Sequence, residues 1–333
     1  RLGSRNTSRS RKRTLINTKV VSLGGGHGLA AALRALRKVT TNITAIVTVA
    51  DNGGSSGRLR EEFNSLPPGD LRMALAALCS DDEWGRGWAE ILQYRFTSQG
   101  ALDNHALGNL LLTALWDRDG DPVQGIDRVG ELLKVIGRVL PMATTALDIE
   151  GTFRTWEGSH VIRGQKEVAT GRGTLENLRL IPEDARTTPD ALRAISDADW
   201  ITLGPGSWYS SVMPHLLMNE QREAIYRSKA QKLLVLNLDA APHMHGDELA
   251  GSSPTQHLQV LFSYAPEFQI DVALVDLSTV STPETRSELE SLVQAHGGRL
   301  IVADLAENLG SIHHDSEKLA DAFRNIIAIE VIR

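Results

Sequence analysis

The chain is most informative at first for what it lacks. One cysteine, Cys79, stands in 333 residues, which excludes an intramolecular disulfide, and its apolar surroundings in MALAALC suit a buried helical thiol rather than a nucleophile. A reducing cytoplasm fits that pattern. No uninterrupted apolar stretch approaches the ~20 residues that a helix needs to span a bilayer, and the basic start is not followed by the apolar core of a secretory signal. The expectation is therefore a cytoplasmic protein without a membrane span. His243 with His245, and His313 with His314, lack companions at zinc-type spacing and read as surface features. Neither an internal repeat nor a low-complexity linker divides the body, which favours one elaborated domain.

Basic clusters are also missing, except at the start. Residues 1–13 carry six basic side chains and no acid, so setting them aside moves the formal net charge from −6 to −12. Residues 1–17 read as a disordered basic tail or a cloning remnant, and residues 18–333 as the domain. An acidic body argues against a nucleic-acid surface, which rests on basic patches that neutralise phosphates. With 41% hydrophobic and 23% charged side chains, the chain is long enough to bury a sizeable core.

What is present is a recurring apolar strand pattern at 19–23, 43–50, 199–203, 232–238, 271–276 and 299–304, mostly separated by helical periodicity. This alternation predicts an α/β fold: a Rossmann-like, doubly wound, mostly parallel sheet with helices on both faces. Residues 70–139 read as an almost wholly helical insertion, covering one end of the sheet as a lid. Residues 144–180 show short alternating segments punctuated by glycine, as expected for antiparallel β-hairpins.

Glycine-rich loops follow the first two strands. Gly24-Gly25-Gly26-His27-Gly28 opens into LAAALRALRK, and the free N–H groups of a first helical turn attract anions such as phosphate. Leu29 occupies the last glycine position of G-x-G-x-x-G and no Lys-Ser or Lys-Thr closes the loop, so neither standard nucleotide fingerprint is present. Taken alone, the loop also fits a plain strand-to-helix turn. The second loop, Asp51-Asn52-Gly53-Gly54-Ser55-Ser56-Gly57-Arg58, follows a strand with no charge. Its acid sits where ribose hydroxyls or a metal bind in doubly wound folds, its small residues offer donors, and Arg58 offers a fixed charge for phosphate. Together the two loops point to a diphosphate.

Further residues fall at the same edge. Gly204-Pro205-Gly206-Ser207 repeats the strand-loop-helix order, either as a donor loop or as an ordinary turn. Asn237 and Asp239 end another strand, where an amide could recognise a base edge or a sugar hydroxyl. Two roles fit Asp70 in PPGDLR: capping the following helix, or joining Asp51 around Mg²⁺ bridging phosphates. His105 and Asn109 are four apart and would share a helical face. His105 either touches a substrate or is a buried, satisfied histidine.

The strings GGGHGL, VTVADNGGSSGRLR, PPGDLR, HALGNLL, LGPGSWYSSV and IHHDSEKLA together resemble the YvcK-type gluconeogenesis factors, a CofD-like group related to the 2-phospho-L-lactate transferases. The resemblance covers nearly everything from Lys19 onward. It implies a Rossmann-like regulator that binds UDP-N-acetylglucosamine or a related nucleotide sugar, requires no cofactor, with Mg²⁺ an optional companion of that ligand, and acts in carbon partitioning toward cell-wall precursors and in cell shape. An enzyme of hexosamine or cell-wall synthesis is the implied partner, and a homodimer the implied assembly. The transferase branch implies instead a metal-dependent transfer of a phospholactyl group from a nucleoside diphosphate carrier. His27 stands where many relatives have threonine. Asn52 replaces the second aspartate of an Asp-Asp pair, NLDAAPHMHGDE departs from the pattern of the group after Asn237, and Ser316 stands at a threonine position phosphorylated in some relatives. An NAD-dependent oxidoreductase ranks last, for want of the fingerprint and of a hydride-transfer constellation.

Overall fold

The computed structural model describes residues 15–238 and 253–330. Most of the basic tail, together with Asp239, His243 and His245, lies outside the described residues. In chain order the elements are β1 (Val20–Gly24), α1 (Gly26–Leu36), β2 (Ile43–Val47), α2 (Gly54–Phe63), α3 (Gly69–Leu78), α4 (Glu83–Gln93), α5 (Leu107–Asp119), α6 (Pro122–Leu133), β3 (Arg138–Pro141), β4 (Asp148–Thr155), β5 (Gly158–Arg163), α7 (Gln165–Ala169) and β6 (Thr174–Ile181). The second half adds α8 (Pro189–Asp197), β7 (Trp200–Leu203), a π-helical turn (Trp208–Val212), α9 (Pro214–Leu217), α10 (Asn219–Arg227), β8 (Gln231–Val235), α11 (Pro254–Tyr264), β9 (Val272–Asp276), α12 (Pro283–Ala295), β10 (Arg299–Ala303) and α13 (Ser316–Glu330).

Seven strands form a parallel sheet in the order β10-β9-β8-β7-β1-β2-β3. β1 pairs with β2 on one edge and β7 on the other, and all five of its residues are buried. A strand paired on both edges and covered on both faces has no polar side to show, which is why VVSLG reads as a run without alternation. The chain winds outward from β1 to β3, returns, and winds the other way from β7 to β10, so strand order reverses between β1 and β7. In such sheets the crevice for a ligand opens at that reversal, outside the carboxyl ends of the strands.

Helix α1 buries Leu29, Ala30, Ala31, Ala32, Leu33, Ala35 and Leu36 and packs against α3 and α13. Its alanines let those helices approach closely. Helix α3 buries Leu71, Leu75 and Leu78 completely, so it is a structural layer of the core and not a lid. β4, β5 and β6 form a separate antiparallel sheet in the order β5-β4-β6, matching the hairpin expectation.

Two boundaries differ from the sequence reading. Residues 15–17, assigned to the tail in the sequence reading, form a helical turn, and Thr40 and Asn42 donate to the carbonyls of Ile16 and Asn17. The helical run also stops before 139, because Lys134 takes a left-handed conformation (φ 54°) after α6 and the next residues pair alongside β2 as β3. No helix among the described residues is long and apolar enough to cross a membrane.

Leu33, at 0% exposure in the middle of α1, sets the first expectation. Leu33→Ala should cost about 2–5 kcal/mol in urea denaturation, the range for cavities that a packed core cannot refill. A loss under about 1 kcal/mol would contradict this placement of α1.

Candidate functional site

Gly24 closes β1, and its carbonyl accepts the Thr48 N–H at 3.0 Å. Gly25 is extended (φ −165°, ψ 171°) ahead of α1 and supplies no capping side chain, and Gly53 likewise precedes α2 without one. By contrast α4, α6, α11 and α12 are capped by the side chains of Asp82, Asp121, Ser253 and Thr282. The helices that follow β1 and β2 thus have no capping oxygen from their own N-cap residue, while the Asp70 carboxylate takes the Gly26 N–H of α1. Gly28 explains how the first and third loops come together: a Cβ there would lie 2.3 Å from the Pro205 carbonyl oxygen and 2.6 Å from Gly206 Cα.

Asp51 accepts the Gly53 N–H at 2.9 Å. Asp70 lies in the first turn of α3, where Pro68 occupies the capping position, so the capping role is not its role. Its carboxylate instead accepts the Thr48 hydroxyl at 3.3 Å and the Gly26 N–H. Burial first, and the charge of Asp51 second, push its pKa up to about 7. His27, at the mouth, is held below the ordinary histidine value by partial burial and by His313, Arg34 and Arg72.

A buried polar chain backs this edge. Arg72 Nε donates to Asn109 Oδ1 at 2.8 Å, Asn109 Nδ2 donates to Ser55 Oγ at 3.0 Å, and Ser55 Oγ lies 3.0 Å from His105 Nδ1. Because Ser55 Oγ accepts from both the Asn109 amide and the Ala106 N–H at 3.4 Å, its two lone pairs are taken and its own proton goes to the ring, which places the imidazole proton on Nε2. Burial and the charge of Arg58 lower the pKa of His105. Gln93 also accepts from Arg72. Burial lowers the Arg72 pKa to about 10, and the guanidinium remains charged at neutral pH.

These groups enclose a cleft of about 520 Å³. Of the residues singled out in the sequence, Gly25, Gly26, His27, Gly28, Asp51, Gly53, Gly54, Ser55, Ser56, Asp70, Asn109 and Ser207 line it. Arg72, Arg95, Asn104, Gln165, Ser210 and Ser211 line it too. Arg72 had a local signal, a charge in the otherwise apolar LRMALAALC helix, since a buried guanidinium needs partners. Arg95 comes from beyond α4 and had none.

Other residues stand behind the lining. Arg58 donates to the carbonyls of Ala101 (3.2 Å) and Asp103 (2.7 Å), so its charge is directed at a neighbouring loop and not at a phosphate. Asn52 bonds Glu167 and the Gln165 N–H, both at 3.3 Å, tying the second loop to α7. Asn237 accepts the Gly206 N–H at 2.9 Å and donates to the Gly206 carbonyl at 2.7 Å, pinning the third loop instead of reading a base. Gly24, Gly204, Pro205 and Gly206 shape the turns. His105 precedes α5, which Asn109 sits inside, so the two meet at Ser55 rather than along a helical face.

A larger cavity of about 870 Å³ lies beside α2, lined in part by Arg60, Phe63 and Trp116. Arg60 there is engaged with Asp148 Oδ1 at 2.6 Å and the Leu147 carbonyl at 2.9 Å. Asp51 and Asp70 are the carboxylates lining the smaller cleft, and among the described residues no group of three or more His, Cys, Asp or Glu is placed to hold a metal.

The sequence profile of the family described as 2-phospho-L-lactate transferase CofD matches residues 20–328. A gluconeogenesis-factor homologue from Mycobacterium tuberculosis is 45% identical over 94% of this chain and 91% of its own. The gluconeogenesis factor of Listeria innocua is 34% identical over 91% of this chain and 94% of its own. Among solved structures, a UPF0052-family protein from Bacillus halodurans superposes with a TM-score of 0.79 at 32% identity, covering 92% of this chain and 99% of that one.

Two outcomes check this geometry. Gly28→Ala should cost about 1–3 kcal/mol, the range for overpacking a rigid contact, because the neighbour at 2.3 Å is backbone; an unchanged urea midpoint would contradict the close approach. Asp70 is raised from the ordinary 3.8 to about 7, so between these values the folded chain binds a proton that the unfolded chain does not. Stability from this group therefore falls as pH rises through that window. Asp70→Asn should gain stability over the parent at pH 8 and progressively less toward pH 5. A difference that does not vary with pH would contradict the shift.

Proposed function

Because the chain belongs to the CofD family, we propose that its cleft binds the diphosphate of a nucleotide sugar, UDP-N-acetylglucosamine or a close relative, and that the protein regulates carbon flow toward cell-wall precursors. The observation that carries this reading is the convergence of the loops after β1, β2 and β7 on one cleft, with no N-cap side chain at the starts of α1 and α2 and with Arg72 and Arg95 in its lining. Backbone N–H groups bind phosphate oxygens without a dedicated side chain, and arginine adds charge-assisted bonds. Asp51 is suited to accept ribose hydroxyls. The relatives named as gluconeogenesis factors support a metabolic role. In this reading the ligand state is passed to an enzyme of hexosamine or cell-wall synthesis, in the cytoplasm, and influences cell shape.

One observation favours a second reading, metal-dependent transfer from a nucleoside diphosphate-linked donor. Asp51 and Asp70 face each other closely enough for one charge to raise the pKa of the other, and a divalent cation would relieve that repulsion. Mg²⁺ prefers few carboxylates supplemented by phosphate and water oxygens, so this donor set fits it. When bound, the ion would neutralise charge on the diphosphate. Asn52 stands beside Asp51 but is committed to Glu167, which leaves the site one carboxylate short of an Asp-Asp pair and favours binding over transfer.

Calorimetric titration with UDP-N-acetylglucosamine, UDP-glucose, GDP and NAD, with and without Mg²⁺, separates the readings. Tight binding confined to the uridine sugars is expected. Arg95→Ala should weaken the nucleotide sugar by about 1.5–3 kcal/mol, the range for a hydrogen bond to a charged group, whereas Arg58→Ala should leave affinity unchanged.

A further inference from the structure

His215 is fully buried in α9, just past the third loop. Its Nε2 lies 3.2 Å from the Gly24 carbonyl oxygen, and its Nδ1 lies 2.6 Å from the side-chain nitrogen of Gln221, which is also fully buried. A carbonyl oxygen only accepts, so the ring proton must sit on Nε2. Nδ1 is then a bare acceptor, which the Gln221 amide satisfies by donating. The same amide nitrogen reaches the His215 carbonyl at 3.4 Å, and Gln221 Oε1 is left without a partner. Turning the amide over would give that oxygen nothing better, because Nδ1 carries no proton. Burial pushes the ring down to about 4, so it is neutral at working pH and the tautomer is fixed.

We infer that His215 is a positioning residue for the diphosphate loop: its Nε2–H, together with the Thr48 N–H, holds the Gly24 carbonyl and so fixes the peptide plane that begins the Gly24–Gly28 turn. The Gly24–Gly25 peptide is planar and trans, so the Gly25 N–H points away from the held carbonyl. With both lone pairs of that oxygen engaged, the plane cannot rotate without breaking two buried bonds. His215 follows the third loop in sequence yet grips the first, so the ring couples two of the loops that meet at the cleft. This role rests on the diphosphate reading of that cleft, but the loop geometry it sets is present without ligand.

The test uses the full-length protein, with UDP-N-acetylglucosamine as the calorimetric probe, and records amide and imidazole ¹⁵N spectra of the ligand-free protein. His215→Leu should weaken the probe about tenfold or more, the effect of losing a buried hydrogen bond of roughly 1.4 kcal/mol, and should move the Gly25 and Gly26 amide resonances. His215→Gln, whose amide N–H can take the place of Nε2–H, should restore both. A folded His215→Leu with unmoved resonances, or a His215→Gln as impaired as His215→Leu, overturns the role, since packing alone would not be rescued by a donor. If the parent binds no nucleotide sugar, the proposed function fails while the resonances still decide on His215. If His215→Leu does not fold, the parent ring spectrum decides: a proton on Nε2 with a bare Nδ1 supports the role, and the opposite tautomer overturns it.

Discussion

The approach of the first loop to the third, with no room for a side chain between Gly28 and the Pro205 carbonyl, is the contact on which the cleft depends. It joins the loops that leave the paired strands β1 and β7, between which strand order reverses, into one wall. The second loop joins through Thr48, which donates its N–H to Gly24 and its hydroxyl to Asp70. Convergence is therefore built from backbone contacts and short polar side chains, and long flexible side chains contribute little to it.

Around that wall the polar groups are arranged so that charges meet the cleft from fixed positions. Arg72 is held by Asn109 and Gln93, and Asn109 by Ser55, so the guanidinium loses little further freedom on meeting an anion. Preorganisation of this kind raises affinity by reducing the ordering that binding would otherwise demand. Asp70 works in the opposite sense. A carboxylate buried beside Asp51 destabilises the empty protein above neutral pH, and a site that tolerates such a cost is a candidate for function.

The fold was legible because central parallel strands lack an exposed face: VVSLG, ITAIV and VALVD read as mostly apolar runs without alternation, and the helices between them showed their own period. β3 was hidden because its four residues come soon after an amphipathic helix, with only residues 134–137, turned by the positive φ of Lys134 and Gly137, between the two. At the site, the loops could be read from glycine and small residues after strands, which is a local signal. Partnerships across the fold left no such trace. Arg58 sits next to the right loop in sequence yet reaches the carbonyls of Ala101 and Asp103. Asn237 lies at the expected strand end but spends its amide on Gly206. His105 and Asn109 meet at Ser55, a residue some fifty positions away, for a reason that helical spacing could not supply.

A crystal structure of the protein with UDP-N-acetylglucosamine tests the central claim most directly. The account predicts the diphosphate within hydrogen-bonding distance of backbone N–H groups from the loops after β1, β2 and β7 at once, with a guanidinium of Arg72 or Arg95 on its oxygens. A diphosphate held by one loop alone, or seated in the larger cavity beside α2, would contradict it.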